Sequence, residues 1–142
     1  MSNSPNNSYK PSLYNGTIAW HEATSSDYEI LYWDGNAITQ ITNNALSDSH
    51  PSLYNGTIAW FQDTARGGNK YYDIFYWDGN TIIQVTDNNT WDASPSLYDG
   101  TIVWSGEVVD KEIYYVIMNS DPFPEFFLKN ICLETCLIIK TF

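Results

Sequence analysis

The 142-residue chain carries 17 acidic residues against six basic ones, a formal charge of −11. That balance argues against nucleic acid, whose binding is driven by Lys and Arg neutralising phosphates, and equally against anionic membrane surfaces. No stretch approaches the ~18–20 apolar residues of a spanning helix, and Met1–Lys10 lacks the apolar core of a signal peptide.

Along the chain, the first patterned segment is Pro11-Ser-Leu-Tyr-Asn-Gly-Thr-Ile-Ala-Trp20. Its Asn15-Gly16 pair, flanked by β-formers, is a strong hairpin signal, because a type I′ turn needs positive φ at both central residues. A second turn of the same kind is expected at Asp34-Gly35. The short apolar runs between these turns are too brief for helices and rich in Ile, Tyr and Trp. Four strands follow for the first unit: Ser12–Tyr14, Thr17–His21, Tyr28–Trp33 and Ala37–Thr42. Longer polar connections are expected at His21–Asp27 and Asn43–His50. In the third strand Ile30 and Tyr32 point one way, Leu31 and Trp33 the other, so both faces are apolar. A sheet packed between neighbouring sheets needs that pattern.

Pro51–Trp60 then repeats Pro11–Trp20 without a change, and Pro95–Trp104 repeats it with Asp99 for Asn and Val103 for Ala. Pro51 follows Pro11 by 40 residues and Pro95 follows Pro51 by 44. Self-similarity at this period marks a tandem array. A second block, Ile30-Leu-Tyr-Trp-Asp-Gly-Asn36, returns as Ile74-Phe-Tyr-Trp-Asp-Gly-Asn80, and the four extra residues of the longer unit fall within Phe61–Tyr71, expected as a loop. Four-stranded meanders in series are propeller blades. The fold expected is therefore all-β, a partial β-propeller of four-stranded antiparallel blades. Two blades are complete (about 11–42 and 51–86) and a third (95–116) is truncated. Residues 117–142 form a tail outside the repeat, with Ile131–Phe142 a candidate outer strand. The tail also fits the truncated or frame-shifted end of a longer gene. Its cysteines, Cys132 and Cys136, have no His nearby to complete a metal site.

Thr42-Asn43-Asn44, Asp48-Ser-His-Pro51-Ser52, Asn55-Gly56-Thr57-Ile58-Ala59-Trp60 and Asp73-Ile74-Phe75-Tyr76 together resemble the TolB-like, WD-like β-propeller repeat over about residues 11–116. The chain departs from that repeat's Ser-Pro-Asp-Gly turn, having Leu-Tyr-Asn-Gly or Leu-Tyr-Asp-Gly. The resemblance implies a propeller that binds protein partners, gates hydrolase domains or occasionally is a whole enzyme. It also implies a periplasmic or secreted setting, to which Met1–Lys10 gives no route. No catalytic motif of those enzymes is present to carry over.

Five tryptophans hold fixed places in the repeat, which suits packing between blades or a ring of sugar-stacking platforms. Trp91 stands outside the repeat and is the better candidate for a ligand or partner contact. Both longer loops of each unit should emerge on one rim, gathering Asp48, Asp92, His21 and His50 with other acids and amides. Those oxygens favour a solvated acidic rim, with Ca²⁺, which takes six to eight oxygen ligands, as the weaker reading. His21 and His50 are expected in the loops, without a nucleophile or carboxylate at diagnostic spacing. The expectation is a non-enzymatic module, without cofactor, that recognises a protein or glycan through its loop rim. The alternatives are the propeller of a carbohydrate-active or peptidase enzyme, or a gene remnant without independent function. Uncovered blade faces at the two ends predict a homo-oligomer.

Overall fold

A computed structural model of the chain describes residues 6–107, 111–118 and 129–130. Among the described residues twelve strands form three four-stranded antiparallel sheets, ordered β1-β2-β3-β4, β5-β6-β7-β8 and β9-β10-β11-β12. The first comprises Ser8–Tyr14, Thr17–Ala23, Tyr28–Trp33 and Ile38–Gln40. The second comprises Asp48–Tyr54, Thr57–Arg66, Asn69–Trp77 and Ile82–Gln84. In the third, Ala93–Tyr98, Thr101–Glu107 and Lys111–Ile117 are joined by a two-residue strand, Lys129–Asn130, paired to Tyr114 and Tyr115. These are two complete blades and a truncated third of a partial β-propeller, as the repeat predicts. The expected outer strand Ile131–Phe142, and both cysteines, lie outside the described residues.

The first turn of each blade has the expected backbone: Asn15, Asn55 and Asp99 have φ of 44–46°, and the glycines after them are also positive. The second turn differs from expectation. Only its glycines, Gly35 and Gly79, have positive φ. Asp34 instead closes the turn with its side chain, its Oδ1 accepting the Asn36 and Ala37 N–H groups at 2.7 Å each. Asp78 does the same for Asn80 and Thr81. Those N–H groups hold the Asp34 carboxyl below its usual value of 3.8.

Three strand boundaries also depart from the sequence reading. The inner strand continues N-terminal to its proline, because a bulge between Tyr9 and Ser12, repeated between Ser49 and Ser52, absorbs Lys10-Pro11 and His50-Pro51. The outer strand is shorter than Ala37–Thr42: Thr42 leaves the ladder, and its Oγ1 accepts the Ile30 N–H at 2.8 Å. Thr86 does the same for Ile74. Within Phe61–Tyr71 there is no loop. The insertion lengthens the β6–β7 hairpin in register to Arg66 opposite Asn69, across Gly67-Gly68.

Two buried clusters lie between blades. Ala19 and Ile30 of blade 1 pack with Leu53, Ile58 and Trp60 of blade 2. Ala59, Ile74, Tyr76 and Val85 of blade 2 pack with Leu97, Ile102, Trp104 and Val116 of blade 3. Trp60 and Trp104 thus fill the wedges between sheets, where large rings supply most buried area. Each seam is closed by the same hydrogen bond, Leu53 N–H to Ser12 Oγ and Leu97 N–H to Ser52 Oγ, both 2.9 Å.

Candidate functional site

The inner strands β1, β5 and β9 bring the same position of three blades together. Lys10, His50 and Ser94 each precede a proline and each have positive φ, 50°, 57° and 55°. A non-glycine residue in this region is uncommon and costs on the order of 1 kcal/mol, so three in register are a built feature. Lys10-Pro11-Ser12, His50-Pro51-Ser52 and Ser94-Pro95 line an open cleft of about 300 Å³. The prolines and the bulge recur, while the residue before each proline changes from Lys to His to Ser. The frame is constant and the chemistry facing the cleft varies.

His21, expected where a strand passes into a loop, and His50, expected at the end of a loop, both lie within strands, β2 and β5. The extended strands, which run to Ala23 and begin at Asp48, enclose them. His21 is buried, and its Nδ1 accepts the His50 N–H at 3.2 Å, which leaves any ring proton on Nε2. Its ring stacks on Tyr9 and meets Tyr28 edge-on. Burial first, then the charges of His50 and Lys10, push its pKa down to about 4. Burial, then Lys10, also lowers His50. The His50 Nδ1 is buried with no hydrogen-bond partner among the described residues. Imidazoles held neutral in this way are weak bases at neutral pH.

From His21 a row of rings crosses the array. His50 follows at 5.6 Å between centroids, then Phe61 at 4.9 Å, Tyr72 at 4.9 Å and Trp91 at 5.1 Å. Trp91 ends the row at 50% exposure. A parallel bridge to Tyr72 and the hydrogen bond from Asp92 N–H to Tyr72 O, 3.0 Å, hold its backbone beside β7. The sequence signalled Trp91 only as an aromatic outside the repeat. The ring row is not visible in the sequence, because Phe61 opens a segment expected as a loop and the members meet only across strands and blades.

Asp48 and Asp92 are placed otherwise than a ligand-binding rim requires. Both are buried. Asp48 Oδ1 accepts Trp60 Nε1–H at 2.6 Å and Gln62 Nε2–H at 3.0 Å, and Oδ2 accepts from Asn44 of the preceding turn at 2.7 Å. Burial raises its pKa to about 6, partly offset by these three donors. Asp92, also raised by burial, accepts from Asn88 at 2.8 Å and has Trp104 among its donors. Each carboxylate ties the exit turn of one blade to the tryptophan of the next. Blade 1 has Ser8 at this place, and Trp20 Nε1 is buried without a partner among the described residues. Among the described residues no three His, Cys, Asp or Glu side chains converge as a metal site.

No protein-family model matches the sequence, and no curated protein matches it. Solved structures do match. The β-propeller domain of the Trilobed protease from Pyrococcus furiosus, described as having an open velcro topology, superposes with a TM-score of 0.64 at 14% identity. The match covers 76% of this chain and 34% of that one. Kuenenia stuttgartiensis hydrazine synthase gives 0.60 at 16% identity, over 89% of this chain and 26% of that one. At such identity the likeness establishes the β-propeller fold and nothing about activity. The chain spans about a third of the first of these chains and a quarter of the second.

Proposed function

We propose that the chain is a non-enzymatic binding module, a TolB-like propeller segment that recognises a protein or a glycan through its loop rim. The observation that carries this reading is the ring row ending in half-exposed Trp91, with exposed Tyr9 and Tyr28 at its other end. A half-exposed indole backed by a fixed row of rings is a preorganised flat platform, the kind of surface that stacks on a sugar face or anchors a protein contact. The acidic chain repels polyanions, so the partner is a neutral glycan or a protein surface that is not itself acidic.

A second reading makes the segment the propeller of a larger carbohydrate-active or peptidase enzyme. It is favoured by the likeness to a protease's propeller domain.

Tryptophan emission tests the first reading, since Trp60 and Trp104 are buried and Trp91 is not. Titration with neutral oligosaccharides, and separately with captured protein partners, is expected to shift that emission. Trp91→Ala should abolish the shift while circular dichroism stays unchanged. A binding response that survives Trp91→Ala would overturn the rim assignment, and substrate turnover by the isolated chain would overturn the non-enzymatic one.

A further inference from the structure

The inner strand of a blade faces two ways. Leu53 packs with Ala19 and Ile30 of the blade before it, and Leu97 with Ala59 and Ile74. Ser12 and Tyr14 face the blade after: Ser12 Oγ accepts the Leu53 N–H, and the Tyr14 and Tyr54 rings lie 4.5 Å apart. Ser52 and Tyr54 repeat this toward blade 3, with Tyr54 and Tyr98 at 4.7 Å. The ends of the described array lack one side each. Leu13 is 70% exposed where Leu53 and Leu97 are 5%. At the other end Ser96 is exposed and Tyr98 is 69% exposed.

We infer that a second copy of this chain covers both ends, blade 3 of each copy packing on blade 1 of the other. The occupant is argued from the repeat itself. Pro-Ser-Leu-Tyr is identical at 11–14, 51–54 and 95–98. The end of blade 3 therefore presents the half-seam that blades 1 and 2 present internally, and the front of blade 1 presents the half that receives it. Ser96 Oγ then accepts the Leu13 N–H, and the Tyr98 ring lies against Tyr14. The contact is heterologous, so it either closes or grows. Two copies of three blades give six, within the four to eight of closed propellers. Closure also completes the central cleft, setting Ser94 of one copy beside Lys10 of the other in the order His50 and Ser94 already show.

This joint is weaker than the internal ones, because Ser8 stands where Asp48 and Asp92 make their clamps. Two chains of charge −11 also repel, so assembly depends on concentration and strengthens with salt.

Sedimentation of the full chain across a concentration series, at low and high salt, tests the inference. A monomer that converts to a two-chain particle, more readily at high salt, is expected. Leu13→Asp and Tyr98→Asp each alter an exposed side chain, so circular dichroism should show both folded, with association weakened by about tenfold or more. Leu13→Asp keeps an intact blade 3 end and Tyr98→Asp an intact blade 1 front. Mixing the two should therefore restore a two-chain species through one joint. A chain that stays monomeric, a dimer indifferent to Leu13→Asp, or a mixture that fails to re-associate would overturn the head-to-tail joint. Growth beyond two copies would overturn the six-blade closure.

Discussion

At the residue scale, two pairs of titratable groups, three buried and His50 half-buried, pull against each other over one pH range. Asp48 is raised from 3.8 to about 6, so between those values the folded chain binds more protons than the unfolded one. Stability from this group falls as pH rises through that window. Asp92 acts with the same sign. His21 is lowered from 6.5 to about 4, so the unfolded chain binds more protons there and stability rises with pH, His50 again acting alike. The opposed contributions hide one another in the native sequence and are exposed by single variants. Asp48→Asn, measured by urea midpoints at constant m-value, should gain stability relative to the native chain between pH 4 and pH 6. The gain is bounded at about 3 kcal/mol by 1.36 kcal/mol per pKa unit. His21→Phe, which keeps a ring in the stack, should shift the relative slope the other way. Identical pH profiles for all three chains would mean that neither group is perturbed.

At the element scale, blade 3 reaches the same clamp by a different packing. Gly106 occupies the place of Gln62, the side chain that donates to Asp48 in blade 2. A Cβ at Gly106 would lie 2.7 Å from Asp92 Oδ1 and 2.7 Å from Tyr114 Cε2. The Tyr114 ring fills that space, lying 6.1 Å from Trp104 and donating from its hydroxyl to Glu112 Oε2 at 2.9 Å. Gly106→Ala should therefore cost about 1–3 kcal/mol by overpacking, read from the thermal midpoint. Adding Tyr114→Ala should recover part of that loss, whereas simple additivity would show that the ring is not what the new methyl meets.

The same elements show what the sequence could reveal. Asn15-Gly16 and the strand Tyr28–Trp33 were legible because a local φ requirement and a local period decide them. The inner strand is hidden at Pro11, since proline in a strand signals an end unless a bulge carries it, and bulges answer to the neighbouring strand. Phe61–Tyr71 reads as a loop in the sequence but pairs as a hairpin, because four added residues extend the two strands evenly when Gly67-Gly68 supplies the turn. The histidine pair and the ring row were hidden for the same reason: their members stand 11 or more positions apart in the chain and meet only across strands and blades.

At the scale of the whole molecule, the described strands pack chiefly within their own blade and against the adjacent one, so stability is close to a sum of blade and seam terms and need not be uniform along the array. Blade 2 has a seam on both sides. The seam to blade 3 gathers eight buried residues and the seam to blade 1 gathers five, which makes blade 1 the weakest unit. Its own clamp is missing, with Ser8 in the aspartate position and Trp20 Nε1 unpartnered among the described residues. Hydrogen exchange in dilute solution should then be slowest in β6 and β7 and fastest in β1, whose Leu13 lies in water. Raising the protein concentration should slow exchange in β1 before it affects β6 or β7, because only the end of the array has a seam left to form. Equal protection across all three blades in the dilute sample would show a single cooperative unit, with blade-to-blade coupling stronger than the seams described here imply.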